Sequence, residues 1–79
     1  MSPELQEQYD YYFEMFRTNG WKQFIEDMTD VFNNYFIEDI KDERELYKIK
    51  GERKVLNQII NFETSVRTAY DQLVEDTDD

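Results

Sequence analysis

The stretch WKQFIEDMTDVFNNY, residues 21–35, sets Trp21, Phe24, Ile25, Met28, Val31, Phe32 and Tyr35 at i, i+3, i+4, i+7, i+10, i+11 and i+14. Those offsets return to one side of a helix of 3.6 residues per turn, whereas a half-buried strand would alternate. Glu26, Asp27 and Asp30 fall toward the other side. The pattern predicts a helix over 21–36, weakened near its end by Asn33 and Asn34, which disfavour helix.

Upstream, Ser2 before Pro3 reads as a helix start, because a Ser hydroxyl can cap free backbone N–H groups and Pro is preorganised for the first helical position. Leu5, Tyr9, Tyr12, Phe13 and Phe16 then recur at helical spacing, so a first helix is expected over 3–18. Arg17-Thr18-Asn19-Gly20 reads as its C-terminal signal.

Downstream, Ile37-Glu38-Asp39-Ile40-Lys41 reads as a connection, and Asp42 with Glu45 three residues on resembles a capping box. Leu46, Ile49, Leu56, Ile59, Ile60, Val66, Tyr70 and Leu73 then hold one face. They predict a single third helix over 43–75, about 50 Å long at the α-helical rise. The tail Asp76-Thr77-Asp78-Asp79 has no apolar anchor and is expected to fray.

The fold class expected is therefore all-α: one domain over 1–79, an antiparallel helical hairpin or three-helix arrangement with one long C-terminal helix. Helices one and two together match the third in length. They can run end to end beside it with a bend at Asn19-Gly20, or lie side by side and leave half of it uncovered.

Composition narrows the chemistry. The 79 residues contain no Cys and no His, which removes disulfides, thiolate and imidazole metal ligands, and the usual general base. No cofactor is expected, and no Ca²⁺ loop motif is present. Paired carboxylates need a concave pocket that a thin hairpin does not offer, so the chain reads as non-enzymatic. The N-terminus is polar and acidic, and no apolar run is long enough to span a bilayer, so the expectation is a soluble, cytoplasmic protein without membrane contact.

A formal net charge of −10 opposes binding to nucleic acid or anionic lipid, and favours basic partners. Aromatic residues make up 16% of the chain, too many for a disordered acidic tail. A chain this short buries only about 60% of its unfolded surface. Neither layout hides so many rings, which points to a partner or self-association surface and to a homo-oligomer built on the aromatic seam.

Tyr9, Tyr12, Tyr35 and Phe36, with Trp21, are the candidate aromatic contacts, while Trp21, Phe24, Met28 and Phe32 are expected to serve the core first. Glu26, Asp27 and Asp30 read either as a solvated face or, with Glu4, Glu7, Asp10, Glu14, Glu38 and Asp39, as an imitation of nucleic-acid charge that could inhibit a DNA- or RNA-binding protein.

Lys48, Lys50, Arg53 and Lys54 form the one local excess of positive charge. Their reading is neutralisation of acidic faces on helices one and two, with Arg53 extending its stem over the seam and Lys48 paired to Glu52 at i,i+4. The other reading is contact with phosphate or an acidic protein patch. Gly51, at the centre of this cluster, costs about 1 kcal/mol relative to Ala inside a helix. It is expected to let helix two cross closely, with Phe32 or Tyr35 over the gap, or else to mark a kink or partner contact.

From Gly20 to Leu73, GWKQFIEDMTDVF followed by IEDIKDERELYKIKGERKVLNQIINFETSVRTAYDQL is similar to small acidic proteins encoded by tailed bacteriophages, especially T7-like podoviruses. Ile37, Asp39 or Asp42, Leu46, Gly51, Leu56, Ile59 and Ile60 carry the likeness. The resemblance brings no catalytic residues. It implies a phage origin and a small helical partner-binding protein, a virion or assembly component or an infection accessory factor, acting in the host cytoplasm or carried in the virion.

Overall fold

The Ser2 hydroxyl accepts from the Leu5 amide, and Pro3 opens the helix behind it, so α1 runs Pro3–Phe16 as the Ser-Pro start requires. A computed structural model describes residues 1–35 and 41–77, the side chain of Thr77 excepted. Its further helices are α2, Asn19–Asn33, α3, Glu43–Ile60, and α4, Phe62–Thr77. The described residues form an all-α arrangement.

Two expectations change along the chain. Arg17-Thr18-Asn19-Gly20 is not a glycine-ended stop: Thr18 caps α2, its hydroxyl accepting from the Trp21 amide at 3.1 Å, and Gly20 lies in the first turn of α2 with no positive φ. The long third helix is two helices. Asn61 interrupts it at φ −94° and ψ 7°, and its side-chain amide donates to the Asn57 carbonyl at 2.8 Å. Backbone bonds continue on either side, Asn61 N–H to the Asn57 carbonyl and Ser65 N–H to the Asn61 carbonyl, each at 3.0 Å. An Asn side chain that bonds the local backbone competes with helical geometry, which accounts for a break of one residue.

The Asp42 cap is present, its carboxylate accepting from the Glu45 amide at 2.7 Å. Of the expected connection, 37–40 lie outside the described residues; α4 continues through Asp76 and Thr77, past the expected end at 75 and into the stretch expected to fray, and 78–79 lie outside the described residues.

Packing resolves the layout. α2 lies against α3, and α1 lies against α4. The first two helices therefore run end to end as one limb, antiparallel to the limb formed by α3 and α4. The body measures 53 × 29 × 16 Å. With α2 paired to α3 and α1 to α4, the two limbs lie side by side as a single layer of helices. Burial reflects this: Phe16 and Val66 are the buried hydrophobic residues among those described.

Candidate functional site

Aromatic rings close the space between the limbs. Phe16 sits where α1 hands over to α2, with ring centres of Trp21 at 5.1 Å, Phe62 at 6.0 Å and Tyr12 at 6.3 Å. Trp21 donates its indole N–H to Glu63 at 3.2 Å, and the same carboxylate holds Arg67 at 2.9 Å. Arg67 in turn lies over Phe13, 5.2 Å from the ring centre. Tyr70 packs edge-on to Phe13 at 5.0 Å, tilts against Tyr9 at 5.2 Å, and donates to the Gln6 side chain at 3.2 Å. Tilted and edge-on contacts put the positive ring edge against a negative face, which favours them over parallel stacking.

At the other end of the molecule, Arg53 covers the Phe32 ring at 4.5 Å. Tyr35 donates its hydroxyl to Glu52 at 2.8 Å. The hydrogen bond to that carboxylate, then desolvation, then the carboxylate charge raise the Tyr35 pKa above its usual 10.0, because a phenolate there would face an anion.

One side of the layer is left uncovered. A hollow of about 550 Å³ opens between α2 and α3, over Gly51 and bordered by Val31, Tyr35, Tyr47 and Val55. Val55 also borders the next groove, with Trp21, Phe24 and Phe62. Phe62 borders a third, between α1 and α4, with Leu5, Tyr12, Val66 and Ala69. Shared walls make these three one continuous trough along the seam. Its side chains are unusually open for their type: Tyr47 is 64% exposed, Val55 54%, Phe24 43% and Tyr12 42%.

Charge is nearly absent from this trough. Lys48 and Glu52 are the charged residues in its walls, one of each sign, in a chain whose net charge is −10. No described group of three or more acidic residues could hold a metal ion, and no described helix is long and apolar enough to cross a membrane.

Of the residues singled out by sequence, Tyr9, Tyr12, Trp21 and Tyr35 all border the trough. Phe36 lies outside the described residues. Glu26, Asp27 and Asp30 are exposed but outside the trough walls, with Asp27 accepting from Gln23 on its own helix at 2.9 Å. Lys50 and Lys54 are likewise exposed and outside it, while Arg53 is half-buried.

Three expectations are corrected. Phe24 is a trough wall rather than core, 43% exposed where Ile25, Met28 and Phe32 are half-buried. Gly51 does not admit a close crossing by any described residue: a Cβ built there meets none of them within 4 Å. The described basic cluster forms no ion pairs with helices one and two, and Glu52 bonds Tyr35 instead of Lys48; Arg67–Glu63 is the ion pair found among the described residues.

Tyr47, Val55 and Phe62 were missed because the deeper stripe of Leu46, Ile49, Leu56 and Ile60 already satisfied a helical period. A second stripe was legible: Tyr47, Gly51, Val55, Gln58, Phe62, Ser65 and Ala69 step by three and four, apolar or small at most positions and uncharged at all.

The chain matches no family model, no curated protein and no solved structure.

Proposed function

We propose that this chain is a non-enzymatic protein-binding module that docks a partner along the trough. The observation that carries this is the open row of Tyr12, Phe24, Tyr47 and Val55 on a layer with no second layer to cover it. Globular domains bury the apolar stripe of a helix against another layer, and rings exposed in a continuous strip mark interaction surfaces. In the setting implied by the phage resemblance, the module serves a virion, its assembly or the infected cell, in the host cytoplasm or the particle.

The test is a variant carrying Tyr12→Ser and Tyr47→Ser, compared with the parent chain by affinity capture from host lysate and by sedimentation of the purified protein, at low and high salt. We expect an association that survives high salt and is lost in the double variant, since apolar docking is only weakly screened. An association that disappears in high salt and ignores the double variant would overturn the proposal. It would point instead to acidic imitation of nucleic acid through Glu26, Asp27 and Asp30.

A further inference from the structure

We infer that the occupant of the trough is a second copy of this chain, stacked trough to trough about a two-fold axis. This rests on the reading of the trough as a docking surface and goes further by naming what docks.

Charge decides among classes of partner. A basic partner would be drawn to carboxylates, and those of Glu4, Glu7, Asp10, Glu14, Glu26, Asp27 and Asp30 all lie outside the trough walls. An acidic partner would seek Lys50 and Lys54, which are outside it as well. The walls themselves hold one cation and one anion, Lys48 and Glu52, so the surface they fit is neutral and apolar. A second trough has that character. A two-fold pairing also lets Lys48 of each copy reach toward an anionic Glu52 of the other without leaving net charge at the contact.

Size agrees. The trough runs along a layer 53 Å long and 29 Å wide, so the trough together with its rims falls in the size range of a specific interface, about 800 Å² per partner. Two such layers make the two-layer helical body that one copy lacks. The carboxylates of Glu4, Glu7, Asp10, Glu14, Glu26, Asp27 and Asp30 remain outside the trough walls, where salt screens them over about 8 Å.

Shape supplies the register. Gly51 opens a hollow in the trough floor beside Tyr47, the most exposed of the large apolar residues. A hollow next to a projecting ring is the self-complementary relief that a two-fold interface uses, each copy offering both parts. The glycine, which no described residue of its own chain explains, is thereby assigned to the interface: it keeps open the space that a partner's side chain fills.

Equilibrium sedimentation of the purified full chain, from micromolar to submillimolar concentration, tests this with four proteins. The parent is expected at twice its 9.8 kDa mass. Gly51→Arg and Val55→Glu are expected to weaken pairing by about tenfold or more, because each puts a charge into an apolar contact. Lys50→Glu, outside the trough, is expected to pair like the parent. Circular dichroism separates loss of pairing from loss of fold; Gly51→Arg is the more informative variant, since a Cβ at that position meets no described atom within 4 Å.

A parent that stays monomeric throughout would overturn self-pairing, while the Tyr12→Ser, Tyr47→Ser capture experiment would still judge the docking surface separately. A dimer that neither Gly51→Arg nor Val55→Glu weakens would overturn trough-to-trough pairing, by showing that the contact between copies lies elsewhere.

Discussion

The Arg53 guanidinium lies 4.5 Å from the centre of the Phe32 ring, and its Nε–H is shielded from solvent with no hydrogen-bond partner among the described residues. Two opposed terms meet in this side chain. The cation over the ring contributes about 0.5–1 kcal/mol where solvent still has access, and the aliphatic stem covers apolar surface. The unpartnered N–H works against both, at a cost of about 1–3 kcal/mol when fully desolvated.

Arg53→Met keeps the stem and removes the unpartnered donor, so its stability in urea unfolding should fall within about 1 kcal/mol of the parent. Arg53→Ala loses the stem too and should cost about 1 kcal/mol or more. Equal losses for Met and Ala would show that the charge, not the cover, holds the contact. Sequence placed Arg53 near the seam correctly through helical spacing. It could not show that the guanidinium would choose a ring over a carboxylate, because that depends on which helix arrives opposite.

At the scale of the element, Thr18 joins two helices by itself. Its hydroxyl donates to the Met15 carbonyl of α1 at 2.7 Å and accepts from the Trp21 amide of α2 at 3.1 Å. Thr18→Ala removes both bonds and should lower stability by about 1–2 kcal/mol, with Thr18→Ser restoring most of it. Urea unfolding with an unchanged slope would confirm this, and an Ala variant as stable as the parent would refute it.

Helix existence was legible throughout, since the starts at Ser2-Pro3 and Asp42 and the stripe from Trp21 to Tyr35 follow from local chemistry alone. The ends were less so. Gly20 drew attention as a terminator, yet the cap two residues earlier is a Thr whose oxygen outcompetes it. Asn61 passed unnoticed because the apolar face of α3 continues into α4 across it. The repeat of Asn57 and Asn61 at i,i+4 was the available warning, because paired Asn side chains can bond each other and the backbone between them.

For the whole molecule, two limb layouts satisfied every helix length, and only the pairing of α1 with α4 and α2 with α3 separates them. Periodicity identifies apolar positions without saying how many faces a helix must cover, so the deep stripe was readable and the open trough beside it was not.

That pairing has a consequence for how the chain is closed. Tyr35 reaches Glu52 across 17 residues, whereas Gln6 reaches Tyr70 across 64. Loop-closure entropy grows by about 0.6 kcal/mol per doubling, so the outer contact costs about 1.2 kcal/mol more to close from an open chain. Once α2 and α3 have met, however, the remaining gap is short, and α1 and α4 can zip along a seam already aligned. Folding is therefore expected to start where α2 and α3 meet and to end where α1 and α4 meet, with opening in the reverse order. Native-state hydrogen exchange should show amides of α1 and α4 released through a partial opening that leaves α2 and α3 protected, and uniform protection across all four helices would contradict it.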